Sequence, residues 1–209
     1  MNRIFFSLLF VLLFFSCNDY EKVEVKEGNV VIESYTKRKS DAAKHGVYSR
    51  FSTEGKILEK SNYQNDTLHG KQEFFYPNGQ VQELVHYQNG THHGFYKTFF
   101  ENGNLEQEGE YINGTLEGDL KVYYSNGQIK EKVTYKNNEE MGPFVEYHDN
   151  GNLKTEGNYQ GADPDTSIGL EHGELKKYDE NGEHYQTMNC EMGRCSTIWK
   201  KEGVEINID

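Results

Sequence analysis

The chain has 209 residues, a formal net charge of −12 and an apolar content of only 34%. Phosphate-dominated binding needs clustered Lys and Arg, and the longest basic run is Lys37-Arg38-Lys39, so no nucleic-acid partner is expected. The 15 Tyr and 12 Phe favour a thin sheet with half-buried rings over a thick aliphatic core.

Residues 1–16 have the organisation of a secretory signal peptide. Arg3 precedes an apolar run from Ile4 to Phe15, which is shorter than the roughly 20 residues that span a bilayer. Ser16 followed by Cys17 resembles the lipobox of bacterial lipoproteins, although Phe14 stands where Leu is usual. The resemblance implies that Cys17 becomes the acylated first residue and anchors the protein to a membrane. The alternative is an ordinary secretory signal with an incidental cysteine.

Residues 17–44 are interpreted as the lipidated cysteine, a tether and a degenerate half-repeat around Gly28 to Tyr35. The stretch from Asn18 to Lys22 resembles the acidic export tag of surface-exposed lipoproteins. A plain solvated tether explains the same composition equally well. The expected location is the cell envelope, with the outer membrane favoured and the body on its periplasmic or surface-exposed side.

A 24-residue repeat organises residues 45–190. Three slots keep this spacing through five copies, namely a first glycine, a second glycine and a tyrosine. The first glycines are Gly46, Gly70, Gly94, Gly118 and Gly142; the second are Gly55, Gly79, Gly103, Gly127 and Gly151; the tyrosines are Tyr63, Tyr87, Tyr111, Tyr135 and Tyr159. A sixth copy follows an insertion at about 161–169 and has Cys190 in the tyrosine slot.

Each unit is predicted to be a β-hairpin. Asn precedes the second glycine in most copies, as in Asn78-Gly79, and Asn-Gly supplies the two φ > 0 residues of a tight turn. In the following strand, Val81 and Tyr87 are six residues apart, and an even spacing predicts that they share one face. A second Gly-rich turn, around Asn89-Gly90, connects each unit to the next.

This pattern resembles the MORN repeat, in the variant form found in bacterial proteins described as YwqK-type antitoxin components. The matching segments are His69-Gly70, Asn78-Gly79, Tyr87 and Asn89-Gly90 with their counterparts. The resemblance implies an all-β fold, an extended single-layer antiparallel sheet of tandem hairpins. Repetition favours the same fold independently, because an isolated hairpin is marginal in water and needs its neighbours to bury its rings.

An aromatic slot that precedes the turn at the second glycine is expected to form a ladder of rings along the sheet. Its members are Phe51, Phe75, Phe99, Tyr123, Tyr147 and Tyr178.

Histidine recurs before the first glycine, and a shared metal site is one interpretation. The residues are His45, His69, His93 and His172. Residues one repeat apart lie a hairpin's width from each other, too far for joint ligation at bonds of about 2.1 Å, so a structural role is favoured. Asp163 and Asp165 in the insertion could ligate calcium, but two acids beside a proline more commonly form a loop.

No catalytic residue, metal or cofactor is expected. The sequence has no zinc-protease, Walker or Gly-x-Ser-x-Gly motif. Glu106, Glu108 and Glu110 alternate along one strand and could in principle do acid/base work, but alternation is typical of the solvated face of a sheet.

Cys190 and Cys195 are expected to form a disulfide. An exported protein meets an oxidising compartment, and the short loop between them contains Gly193. A metal pair would need two further soft ligands, and none is evident. Residues 191–209, which contain Trp199, are interpreted as a capping hairpin that protects the end of the array.

The sequence therefore predicts a non-enzymatic, lipid-anchored repeat protein whose sheet binds another protein or an envelope component. The resemblance gives an alternative, an antitoxin or immunity protein that neutralises a cognate toxin. A remote third possibility is a hydrolase of envelope glycan that uses the strand carboxylates.

Overall fold

The computed structural model describes residues 19–163, 165 and 168–203. Within these ranges the chain forms sixteen β-strands and no helix. In chain order they are β1 Tyr20–Glu27, β2 Val30–Arg38, β3 Gly46–Phe51, β4 Ile57–Gln64, β5 Thr67–Phe75, β6 Val81–Gln88, β7 Thr91–Phe99, β8 Leu105–Ile112, β9 Thr115–Tyr123, β10 Ile129–Lys136, β11 Glu139–Tyr147, β12 Leu153–Ala162, β13 Gly169–Glu171, β14 Gly173–Tyr178, β15 His184–Glu191 and β16 Arg194–Lys200.

All strands belong to one antiparallel sheet, and spatial order follows chain order from β1 to β12 and then from β14 to β16. The short β13 lies off this path and pairs with β12. Each hairpin contacts only its neighbours along the chain, as in other repeat proteins. The predicted all-β, single-layer sheet of tandem hairpins is confirmed.

The two turns of each repeat have different chemistry, and the prediction assigned one of them wrongly. At Asn78-Gly79 only the glycine has positive φ, at 88°. Gly79 donates to the Tyr76 carbonyl, and Tyr76 donates to the Gln80 carbonyl. This is a three-residue loop, a type I turn closed by a left-handed glycine.

The two-residue turn with two positive φ values lies at the opposite edge of the sheet. Asn89 and Gly90 have φ values of 50° and 79°, and Asn113-Gly114 repeats them at 52° and 84°. These angles match a type I′ turn, which suits the twist of a hairpin. The sequence alone did not distinguish the turns because Asn-Gly is compatible with both.

A β-bulge separates residues that were predicted to share a face. Tyr87 pairs with Gly70, but the register shifts before Phe75 pairs with Val81. The extra residue reverses the alternation of side chains, so Val81 and Tyr87 point to opposite faces. The prediction from even spacing was wrong for this reason.

The first glycines occupy a second register shift, where the strands of successive repeats meet. Gly70 has a φ of 96°, and Gly94 has a φ of 101°. The Asn62 side chain donates to the Lys71 carbonyl at 2.8 Å, and His86 Nδ1 lies 3.0 Å from the Phe95 carbonyl in the next copy. A side chain of the preceding repeat thus forms a hydrogen bond with a backbone carbonyl that the register shift leaves without a strand partner.

The core is a single row of buried side chains on one face of the sheet. The buried apolar residues are Ala43, Tyr48, Val85, Leu116, Val133, Phe144, Leu175 and Cys190. Val133, Phe144, Leu175 and Cys190 form one contiguous cluster. Gly109 keeps the row packed, because a Cβ there would lie 2.9 Å from a Leu120 methyl group.

The N-terminal part of the described chain is more ordered than a tether. Tyr20–Glu27 forms β1, which pairs with β2. Cys17 and residues 1–16 lie outside the described residues, as do residues 204–209 of the predicted capping hairpin. The described part of that hairpin is β16, which pairs with β15. No helix in the described part of the chain is long and apolar enough to cross a membrane.

Candidate functional site: the tyrosine face

The face that carries the buried row also carries the recurring tyrosines, and we call it the tyrosine face. It comprises the tyrosine slot (Tyr63, Tyr87, Tyr111, Tyr135, Tyr159), the residues paired with that slot across the type I′ turn (Leu68, His92, Leu116, Glu140) and the buried row. The opposite face, which carries Lys97, Glu108 and Lys121, is called the charged face.

Side chains interleave along the tyrosine face. The His92 ring lies 4.7 Å from the Tyr87 ring and 5.1 Å from the Tyr111 ring, edge-on to both. His92 Nε2 is also 2.9 Å from the Tyr87 hydroxyl. Phe144 stacks on Tyr159 at 4.2 Å. Ring contacts thus join successive strands on this face, while those of His184 with Tyr178 and Trp199 lie on the opposite face.

The expected ladder in the other aromatic slot is not formed. No ring pair between described residues joins two members of the set Phe51, Phe75, Phe99, Tyr123, Tyr147 and Tyr178. Phe75 instead lies under the Lys60 ammonium group, and the Tyr123 hydroxyl donates to Glu108. Phe74 pairs with Glu83 on the tyrosine face, so alternation along β5 places Phe75 on the charged face.

The first repeat shows how the tyrosine face accommodates a cation. The Lys44 ammonium group lies 5.3, 4.9 and 5.4 Å from the ring centroids of Tyr35, Tyr48 and Tyr63. At such distances the ring quadrupole attracts a cation. Lys44 was not predicted as a contact residue, although its distance of two residues from Gly46 matches that of His92 from Gly94.

Carboxylates lie among these rings farther along the sheet. Glu131 pairs directly with Glu146 across β10 and β11, and like charges in directly opposite positions are unfavourable. Burial raises the pKa of Glu131, and the nearby Glu146 and Glu140 carboxylates raise it further. Burial and the hydrogen bond to Glu140 likewise raise the pKa of Tyr135.

Positive charge is scarce on this part of the tyrosine face. Between Gln72 on β5 and Tyr159 on β12, no Lys or Arg of the described strands occupies a paired position on it. Lys130 and Lys154 lie at bulges, where Lys130 covers the Tyr124 ring and Lys154 is 3.6 Å from Glu146. Glu83 and Glu131 make no hydrogen bond or ion pair within the described chain.

On the charged face, by contrast, the half-buried acid Glu108 is paired, while Glu110, which lies opposite Glu117, is exposed. Glu108 accepts hydrogen bonds from Lys97 at 3.0 Å, Tyr123 at 2.9 Å and Lys121 at 3.2 Å. Burial opposes ionisation of Glu108, but these hydrogen bonds outweigh it and lower its pKa to about 2. Burial and Glu108 together raise the pKa of Tyr123 to about 12. Glu108 is therefore more than the solvated surface acid that its sequence pattern suggested.

Asparagines link the three-residue loops along one edge. Asn78 donates through Nδ2 to the Glu101 carbonyl at 2.9 Å, and Asn102 donates to the Ser125 carbonyl at 3.0 Å. Asn126 and Asn150 make the corresponding bonds to the loops that follow them. The second glycines thus lie in loops that are hydrogen-bonded from one repeat to the next.

The recurring histidines are placed apart from one another. His93 Nδ1 accepts a 3.3 Å hydrogen bond from the Asn113 amide in the next type I′ turn, and Glu117 accepts the corresponding bond from Asn137. His45 stacks on Tyr20. The described residues contain no group of three or more His, Cys, Asp or Glu side chains that could hold a metal ion. In the insertion, Asp163 Oδ1 accepts from the Asp165 amide.

The insertion is fixed onto the tyrosine face. Glu140 accepts hydrogen bonds from the Tyr135 hydroxyl and from the Gly169 amide, both at 2.8 Å. Beyond it lies an open cavity of about 440 Å³ whose lining includes Phe144, Tyr159 and Lys177. Cys190 and Cys195 are paired across β15 and β16 and are joined as a disulfide, which closes the last hairpin beside this cavity.

Comparison with known proteins identifies one family. A sequence model described as "MORN repeat variant" matches six segments, which are residues 44–65, 68–89, 93–113, 116–137, 142–160 and 171–189. These segments make up more than half of the chain. Comparison with curated proteins gives no match.

Among solved structures, one described as "Crystal Structure of TarM" is 16% identical in sequence. The match covers 58% of this chain and 22% of that chain, with a TM-score of 0.26.

Proposed function

This chain belongs to the MORN repeat variant family, and from that premise we propose that it is a non-enzymatic interaction module whose tyrosine face binds another protein or an envelope component. The observation that carries the proposal is the concentration of half-buried rings and unpaired carboxylates on one face of a regular sheet. Aromatic residues are enriched at protein interfaces because they bury a large area with few rotatable bonds.

We further propose that the module is anchored through Cys17 in the cell envelope. The signal-like residues 1–16 and the lipobox-like Ser16-Cys17 support this. A multi-chain acyl anchor would hold the protein without help from the sheet, since each buried CH₂ contributes about 0.8 kcal/mol. Mass spectrometry of the N-terminal peptide should find an acylated Cys17, and an unmodified thiol there would reject the anchor.

Site-specific photo-crosslinking tests the interaction role. A photoreactive residue at Glu83, on the tyrosine face, should capture an envelope partner, whereas one at Glu73, on the charged face, should not. Both positions lie on the paired strands β5 and β6, so the main difference between them is the face of the sheet to which the side chain points. Capture from Glu73 alone would reject the assignment of the binding face.

A second candidate function is neutralisation of a cognate toxin. The acidic net charge and the unpaired Glu83 and Glu131 favour a basic partner, as a cationic toxin would be, because complementary charge speeds association. Co-expression with a toxin-like product of a neighbouring reading frame tests this role. Rescue of growth that is lost when Glu83 and Glu131 are changed to Gln would support it.

A further inference from the structure

We propose that the tyrosine face binds an extended, lysine- or arginine-rich segment of a partner protein, with cations seated beside the unpaired carboxylates of Glu83 and Glu131. This inference rests on the interaction role proposed above and specifies the chemistry of the partner. The contacts of the chain's own Lys44, the imbalance of charge and the spacing of the repeats support it.

Lys44 shows what the face does with a cation. Its ammonium group lies among Tyr35, Tyr48 and Tyr63, and Glu33 and Glu59 are close enough to raise the pKa of Tyr48 after the larger effect of burial. A lysine head therefore rests on tyrosines of a face that also carries carboxylates. Later repeats keep the tyrosine of the Tyr63 slot but have no lysine at the position of Lys44, which is taken by Leu68, His92, Leu116 and Glu140. The carboxylate of Glu59 recurs in two of them, as Glu83 and Glu131.

Two acids of the tyrosine face lack the partners that Glu59 has. Glu59 is satisfied by Arg50 at 3.2 Å and by hydrogen bonds from Ser61 and Gln72. The equivalent acids Glu83 and Glu131 have no such partners in the described chain, and Glu131 faces Glu146. A half-buried, unpaired carboxylate costs stability, and a cation from outside would remove that cost.

The geometry of the repeat selects an extended segment. Equivalent residues on successive hairpins lie two strands apart, or about 9.6 Å at a strand spacing of about 4.8 Å. A polyproline II segment rises about 3.1 Å per residue with three residues per turn, so that every third side chain returns to one side after about 9.3 Å. Glu83 and Glu131 are two repeats apart, so two bases six residues apart in such a segment would reach both carboxylates. A base at every third position contains this spacing.

The first arm of the test uses defined peptides with the full chain. A peptide of repeated Lys-Pro-Pro units should bind at low salt, and its affinity should fall as salt rises. A peptide of the same composition with its lysines clustered at one end should bind at least about fivefold more weakly, and a Glu-Pro-Pro peptide should not bind. Equal affinity of the spaced and clustered peptides would overturn the proposal.

The second arm uses matched triple variants. Glu83→Gln, Glu131→Gln and Glu146→Gln together should weaken binding of the Lys-Pro-Pro peptide about tenfold or more, since each pair contributes up to about one factor of five. The control carries Glu73→Gln, Glu110→Gln and Glu174→Gln, which lie on the charged face by their strand pairing. It should change the affinity less than about twofold. Equal losses in the two variants would show attraction by net charge alone and would overturn the proposal.

Anionic phospholipid vesicles serve as the competing class of ligand. Binding to phosphatidylglycerol vesicles in preference to the Lys-Pro-Pro peptide would overturn the proposal, because an acidic face should repel them. The interaction role can survive such a failure. Photo-crosslinking from Glu83 with no peptide binding would keep the tyrosine face as an interface and reject only its cationic partner.

Discussion

Individual asparagines in the repeat have two unrelated roles. Asn89 has positive φ in a type I′ turn, which Asn and Gly tolerate better than other residues. Asn78 has no positive φ and instead joins two loops, by accepting from the Gln80 amide and donating to the Glu101 carbonyl. The same residue type is thus selected for backbone conformation at one edge and for its side-chain amide at the other.

Glycine substitution separates these roles. Asn89→Gly should change the free energy of unfolding by less than about 0.5 kcal/mol, because glycine adopts positive φ readily. Asn78→Gly should cost about 1–2 kcal/mol, because it removes two hydrogen bonds and loosens the unfolded chain. Urea unfolding of the two variants checks this, and equal effects would contradict the assignment of the turns.

Two carboxylates should respond to pH in opposite directions. The pKa of Glu108 is about 2 in the folded chain, below the ordinary 4.5, so its stabilising effect is present above about pH 4.5 and is lost as the pH falls toward 2. Glu108→Gln should lower stability at pH 7 by about 1 kcal/mol, a value reduced for the partial exposure of its lysine partners. The deficit should disappear near pH 2.

Glu131 provides the comparison. Its pKa is raised by burial, Glu146 and Glu140, so its favourable contribution exists at low pH and is lost as the pH rises through its folded pKa. Glu131→Gln should therefore raise the melting temperature at pH 7 and have no effect below about pH 4. A lower melting temperature at pH 7 would mean that Glu131 is paired after all.

At the scale of the hairpins, packing of the slot tyrosine against the neighbouring strand should contribute most to the free energy of unfolding. The Tyr111 ring packs edge-on against His92 and Tyr96, whereas Glu106 makes no hydrogen bond or ion pair within the described chain. Tyr111→Ala should cost about 3 kcal/mol, and Glu106→Ala should cost less than about 0.5 kcal/mol. Similar melting shifts in thermal denaturation would contradict this packing.

The last hairpin is held by a disulfide bond in addition to its backbone hydrogen bonds. Cys190 is 2% exposed and belongs to the buried cluster. Replacing Cys195 by Ser should destabilise this hairpin by about 2 kcal/mol, the value for closing a short loop. Titration of the unreduced protein should find neither Cys190 nor Cys195 reactive, and reduction should release two thiols.

The hairpins could be predicted because their sequence signals are local. The face of the sheet on which each side chain lies could not be predicted. Recurring glycines and asparagines locate the turns within each unit. A single-residue bulge at Gln82 leaves no separate mark in the sequence, yet it turns Val81 to the face opposite Tyr87. Lys44 escaped notice because its cage is built from Tyr35, Tyr48 and Tyr63, which belong to three different strands.

Over the whole molecule, stability should vary along the array. The contiguous buried cluster lies between β10 and β15, whereas β1 is an edge strand that pairs only with β2 and has mostly exposed residues. Hydrogen exchange should be slowest in β10–β15 and fastest in β1, because local opening is easiest where few apolar contacts must break. Uniform protection along the chain would show cooperative unfolding instead.

The constant register of the repeat has an evolutionary consequence. Each 24-residue unit contains one turn of each type and the donors and acceptors that meet those of the next unit. Loss or duplication of one unit would keep the turns and register of the remaining units and change the length of the array by about 9.6 Å. The gene can therefore lengthen or shorten the reach of its product in fixed increments without new folding information.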